Sequence, residues 1–119
     1  PNLVLGRSQS GNISCRDAIN MNLVDALCSD YHFPSMLSAV MYLVNNGFTA
    51  SQAINLVTIN PARIVKIDKE FGSIDNGKYA DIIIFDFINN EPIVKEVFIN
   101  GKSVFKINDT ILKKTPLRI

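Results

Sequence analysis

The stretch Leu23–Pro34, LVDALCSDYHFP, constrains this chain more than any other. Val24–Cys28 is a short apolar run interrupted only by Asp25, long enough for a buried strand and too short for a helix. It stops at Ser29-Asp30-Tyr31, and Pro34 then opens PSMLSAVMYLV, an apolar segment that reads as a helix. A strand that ends on an acidic residue and turns into a helix is how barrel enzymes present a catalytic group at the C-terminal rim. Asp30 is therefore the first candidate site residue. The plainer reading is that Asp30 only caps a turn, a common place for aspartate.

The flanking segments support the same architecture. Asn2–Leu5 reads as the end of a strand leaving the core, and Gly6–Asn12, GRSQSGN, as a polar loop flanked by glycines. Ser14 is placed to N-cap a short helix, SCRDAINMN, with Asp17 where the reciprocal partner of a capping box would sit. Loop, helix and strand in quick succession predict an α/β unit with parallel strands. Pro34–Asn46 is the clearest helix, with Leu37, Val40, Met41 and Val44 on one face and Gly47 to end it. Thr49 and Gln52 have the spacing of a capping box at the head of TASQAINLVT, whose apolar side is Ala50, Ala53, Ile54 and Val57. Asn60-Pro61 is expected to break the chain before another helical turn or two.

After Lys66 the period changes. Phe71–Ile74 reads as a short strand, Asp75-Asn76-Gly77 as a turn, and Ala80–Asp86 as a strand covered on both faces. Ile93–Ile99 and Lys102–Ile107 flank Asn100-Gly101, a strong hairpin signal. Asn108-Asp109 suggests a further turn before the polar tail ILKKTPLRI, expected to be only partly ordered. The chain thus divides near Ile67: residues 1–67 read as the end of an α/β barrel and residues 68–119 as a small β-unit with a tail.

Composition narrows the function classes. With 119 residues, 47% hydrophobic and 19% charged, the chain can bury a core and is neither disordered nor fibrous. A net charge of +1 gives no electrostatic reason to expect nucleic acid or an anionic membrane as partner. No apolar run approaches the roughly 20 residues a bilayer span needs, and nothing at the start resembles a signal peptide. Cys15 and Cys28 have no metal-binding spacing, and Cys28 is expected to be a small buried thiol. A cytoplasmic location is the expectation. The start at Pro1, without Met, suggests a piece of a longer protein.

Two features resemble the metal-dependent amidohydrolase superfamily. One is TINPARIVKI followed by GSIDNGKYADIIIFD, similar to that superfamily's passage from its last barrel helix into its β-sandwich. The other is the acidic residue closing the strand before the helix, Asp30. Within the superfamily, PNLVLGRSQSGN followed by SDY and a Pro-led helix resembles the PhnM-type hydrolases of phosphonate metabolism, whose stretch reads close to PNLVRGGSHSGN. The resemblance implies the C-terminal part of a (β/α)8 barrel with part of an adjoining β-sandwich. It also implies hydrolysis of a phosphoanhydride bond, taking a ribose 1-methylphosphonate 5-triphosphate to pyrophosphate and the 5-phosphate. Asp30 would bind a divalent metal, zinc or similar, and handle the proton of the attacking water. Arg7, Ser8, Gln9, Ser10, Gly11 and Asn12 would hold the substrate's phosphates. Leu5, Arg7 and Gln9 depart from that family's Arg, Gly and His.

The resemblance places the metal's histidines on earlier strands, and this chain has a single histidine, His32, expected to be an exposed loop residue. A complete metal site is therefore expected only in a longer parent protein, with no cofactor bound and no activity in the 119 residues alone. The partner would be a phosphorylated small molecule, and unpaired strand edges predict a homo-oligomer. Two alternatives stay open. One is hydrolysis of C–N bonds, as in dihydroorotase-like or deaminase-like amidohydrolases. The other is a non-catalytic structural or interaction module of the same fold.

Overall fold

The computed structural model describes Leu3, Gly6, residues 11–29 and residues 32–108. The chain falls into two compact units, Pro1–Lys78 and Tyr79–Ile119. The strand end expected over Asn2–Leu5 and the tail beyond Asn108 lie outside the described residues, apart from Leu3.

The first unit is helical. Helix α1, Cys15–Asn20, starts where the sequence placed it, with the Asp17 amide donating to Ser14 Oγ at 3.1 Å. The Ser14 hydroxyl in turn donates to Asp17 Oδ2 at 2.7 Å. Helix α2, Ser35–Asn45, follows Pro34. It ends in a pair of bonds that satisfy two orphan carbonyls: Gly47 N–H donates to Val44 O at 3.3 Å and Phe48 N–H to Leu43 O at 3.1 Å. One residue later Thr49 opens helix α3, Ala50–Asn55, through the expected capping box. Gln52 N–H donates to Thr49 Oγ1 at 3.2 Å, and Thr49 N–H to Gln52 Oε1 at 3.0 Å. Helix α4, Ile59–Ile64, contains Pro61 in its first turn. The expected break at Asn60-Pro61 does not occur, because an amide in that turn has no intrahelical partner to lose.

The core of this unit is Leu3, Ile19, Val40, Leu43, Ala53 and Leu56, with Phe48, Tyr42 and Leu27 packed against it. On α2 the buried stripe is Val40 and Leu43, whereas Val44 is exposed. The inward face is thus rotated from the one the spacing predicted. Ala53 and Leu56 are the buried residues of the following segment, and Ala50 is exposed.

The strand expected over Val24–Cys28 is not formed, and no parallel strand pair exists among the described residues. A strand needs a neighbour to take its amides and carbonyls. This segment instead donates from Leu27 N–H to Leu56 O at 2.8 Å and accepts Asn60 Nδ2 on Asp25 O at 2.8 Å. Cys28, expected to be buried, is exposed for the same reason. The strand expected over Phe71–Ile74 is also absent. There Gly72 adopts φ +94° and presses against α4: a Cβ would stand 2.8 Å from Ala62 Cβ and 3.0 Å from Ile59 Cα.

The second unit is a three-stranded antiparallel sheet in the order β1-β2-β3, comprising β1 Ile82–Ile88, β2 Glu91–Ile99 and β3 Lys102–Lys106. Both hairpins turn on two residues with positive φ, Asn89-Asn90 and Asn100-Gly101, as right-twisted two-residue hairpins require. Pro92 opposes Phe87, the second pair from the first loop, where strand amides point away from the partner. β1 is not covered on both faces: Ile83, Ile84 and Ile88 are exposed, while Phe85 and Phe87 meet edge to face at 5.4 Å. Lys95 lies 3.2 Å from Asp86 across the sheet. That hydrogen bond, aided by the Phe87 amide, holds the Asp86 carboxyl below its ordinary pKa.

Two substitutions separate these effects in urea unfolding. Gly72→Ala combines an unfavourable φ with overlap against α4 and is expected to cost at least about 2 kcal/mol. Thr49→Ala removes one half of a capping box and is expected to cost about 1 kcal/mol. A Gly72→Ala protein as stable as wild type would show that the contact with α4 is not close.

Candidate functional site

Of the residues expected to hold phosphate, Gly11 and Asn12 are described and exposed, just ahead of the Ser14 cap. Gly11 has φ +70°, and nothing lies within 4 Å of where its Cβ would be. Arg7, Ser8, Gln9 and Ser10 lie outside the described residues, as does Asp30. The helix that follows gives an anion less than its position suggests. Its Asp17 amide is already taken by Ser14 Oγ, and Asp17 puts a carboxylate in the first turn, where it complements the helix dipole itself.

The side chain that sequence reading passed over is Arg16. Its guanidinium donates from Nη2 to the Leu3 carbonyl at 3.3 Å and lies 5.0 Å from the centre of the Tyr42 ring on α2. It also lies under Gly6, where φ is +67° and a Cβ would come within 2.9 Å of Nη1 and 3.0 Å of Cζ. Residues from the start of the chain, from α1 and from α2 thus meet at Gly6. A cation in a helix's first turn opposes the dipole, and that local misfit is the sequence signal that a tertiary partner holds it.

On the other side of Asp30 the geometry is set by His32. His32 N–H donates to Ser29 O at 3.2 Å, and its carbonyl accepts both Ser35 Oγ at 2.6 Å and Ser35 N–H at 3.1 Å. The backbone of His32 therefore seats the first residue of α2 in place of a side-chain cap, and the residue is exposed as expected. Among the described residues no three His, Cys, Asp or Glu side chains come close enough together to hold a metal ion. The described residues alone do not fit a divalent metal. A shallow groove of about 180 Å³ is lined by Ile19, Asn22, Val24, Phe48, Gln52 and Leu56. With no titratable side chain in its wall, it offers no acid or base.

Residues 5–104 match the amidohydrolase family. The chain belongs to that family. It is 37% identical over 108 residues to an alpha-D-ribose 1-methylphosphonate 5-triphosphate diphosphatase of Escherichia coli (strain K12), covering 88% of this chain and 28% of that protein. An adenine deaminase of Methanosphaera stadtmanae is 38% identical over 73 residues, covering 61% of this chain and 13% of its own length. An imidazolonepropionase of Picrophilus torridus is 32% identical over 105 residues, covering 77% and 27%. The chain therefore spans less than a third of each of these relatives. Among solved structures, an amidohydrolase from Thermotoga maritima aligns with a TM-score of 0.61 at 23% identity, over 77% of this chain and 25% of that one. That likeness concerns the fold. No helix among the described residues is long and apolar enough to cross a membrane.

The two cysteines differ in a way that chemistry can read. Neither is in a disulfide; Cys28 is exposed, whereas Cys15 is partly buried, and burial raises its thiol pKa. A raised pKa leaves less thiolate at a given pH. At mildly alkaline pH, iodoacetamide is expected to label Cys28 roughly tenfold faster than Cys15, or more. Mass spectrometry of a labelling time course checks this, and equal rates would contradict it.

Proposed function

We propose that this chain is the C-terminal part of a metal-dependent amidohydrolase that cleaves a phosphoanhydride bond. The substrate in this reading is a ribose 1-methylphosphonate 5-triphosphate, released as pyrophosphate and the 5-phosphate. The observation that carries the reading is the 37% identity to such a diphosphatase across 88% of this chain. Residues 1–67 would complete the barrel, and the β-unit that follows would join the adjoining sandwich.

Asp30 is the residue assigned to catalysis, accepting the proton of the water whose oxygen attacks the phosphorus. The bond broken is the one between that phosphorus and the bridging oxygen, which leaves with pyrophosphate. Asp30 is also the proposed ligand for a divalent metal, together with residues outside this chain. The metal would supply a water acidic enough to ionise near neutral pH. Gly6–Asn12 is assigned to the phosphates: Ser8, Gln9, Ser10, Gly11 and Asn12 would offer amides or side-chain donors, and Arg7 a planar fork that suits phosphate oxygens. With Asp17 in the first turn of α1, loop amides and Arg7 have to do most of the binding. A cytoplasmic homo-oligomer acting on a phosphorylated small molecule completes the proposal.

The deaminase and imidazolonepropionase relatives favour a second reading, in which the same family framework hydrolyses a C–N bond. A neutral cyclic amide offers Arg7 no anion to pair with, so the two readings differ at that residue.

The full-length protein decides between them. It is expected to release pyrophosphate from a ribose 5-triphosphate and no ammonia from adenine. Asp30→Asn should lower turnover at least about a hundredfold with the fold intact by circular dichroism; a rate within threefold of wild type would remove Asp30 from the mechanism. Arg7→Ala should weaken competitive inhibition by pyrophosphate. Ammonia release without pyrophosphate release would favour the C–N reading.

A further inference from the structure

We propose that Asn76 is a site of spontaneous covalent modification, at which its side-chain amide closes on the Gly77 nitrogen and is converted to aspartate and isoaspartate. The chain has three Asn-Gly pairs, Asn46-Gly47, Asn76-Gly77 and Asn100-Gly101. A glycine after asparagine has no side chain to keep the backbone nitrogen away from the amide carbon. Local sequence therefore favours the reaction at all three, and all six residues are exposed. Hydrogen bonds are what separate them. Gly47 N–H donates to Val44 O at 3.3 Å and Asn46 Nδ2 to Tyr42 O at 2.7 Å, so both reacting groups of the first pair are held. In the third pair Gly101 N–H donates to Ala80 O at 2.9 Å, and Asn100 N–H to Asp81 Oδ1 at 2.8 Å.

The second pair is held differently. Lys78 N–H closes a turn onto Asp75 O at 3.3 Å, with Gly77 at φ +84° in its third position, as a type II turn requires. Asp75 Oδ1 takes the Asn76 N–H at 2.8 Å. Among the described residues, however, neither the Asn76 side-chain amide nor the Gly77 N–H has a partner. Nothing lies within 4 Å of where a Gly77 Cβ would stand, so no neighbour crowds the attack. The reaction needs water and no other reagent. The Gly77 nitrogen gives up its proton and bonds to Asn76 Cγ; the Cγ–Nδ2 bond breaks, and Nδ2 leaves as ammonia with the proton made up. Water then opens the cyclic imide. Cleavage between Cγ and the Gly77 nitrogen leaves aspartate, and cleavage between the Asn76 backbone carbonyl carbon and that nitrogen leaves isoaspartate. Either product sets a new carboxylate beside Asp75, and isoaspartate also lengthens the turn by a backbone carbon.

The test incubates the full-length protein at mildly alkaline pH, once folded and once in concentrated urea, and follows the three sites by mass spectrometry of tryptic peptides. Trypsin separates them, since Asn46 falls in Asp17–Arg63, Asn76 in Glu70–Lys78 and Asn100 in Glu96–Lys102. In the folded protein Asn76 is expected to convert about fivefold faster than Asn46 or Asn100, or more, the factor set by one backbone hydrogen bond that must break before attack. In urea the three rates should converge, because only the folded state tells the pairs apart. An isoaspartyl methyltransferase should label Glu70–Lys78 ahead of the other two peptides. Hydrogen exchange gives an independent readout: the Gly77 amide is expected to exchange faster than those of Gly47 and Gly101. Conversion of Asn46 or Asn100 in the folded protein as fast as that of Asn76 would overturn the proposal. So would an unchanged order of rates in urea, or a Gly77 amide as protected as the other two.

Discussion

Leu43 holds the first unit together, and it does so twice. Its side chain is 1% exposed, packed in one cluster with Val40, Ala53 and Leu56. Its carbonyl accepts the Phe48 amide that closes α2. Side-chain burial and backbone closure therefore depend on one residue, and the chain leaves α2 in the direction that lets Thr49 cap α3 immediately. Ala53, with no exposed surface, is small enough to let α3 come close. A larger residue there would drive the two helices apart. The segments on either side of Asp30 are tied to the helices around them: Leu27 to Leu56 just after α3, Asp25 to Asn60 on α4, and His32 to the first turn of α2.

The second unit is built on a different constraint. None of residues 79–108 is fully buried, and the sheet leaves Ile83, Ile84, Ile88, Ile99, Val104 and Phe105 exposed. Turn geometry and cross-strand pairs hold it: two hairpins with paired positive φ, the Phe85–Phe87 contact and the Lys95–Asp86 bridge. A sheet is stable when one face is buried against another layer. That surface stays exposed among the described residues.

What was legible in the sequence was what local chemistry decides. Ser14 and Thr49 as caps, Gly47 at a helix end and Asn100-Gly101 as a hairpin each depend on residues within four or five positions. Asn89-Asn90 uses the same turn chemistry and was missed because asparagine without glycine is a weaker signal. Val24–Cys28 was misread because a strand is defined by its neighbours, and an apolar run carries no record of whether they are there. The stripe on α2 was misplaced because spacing gives a periodicity, while the partner helix chooses which side faces inward. At the candidate site, family resemblance named Asp30 and the Gly6–Asn12 loop; a cation in the first turn of α1 marked Arg16 as a local misfit, but not its contacts at Leu3, Gly6 and Tyr42.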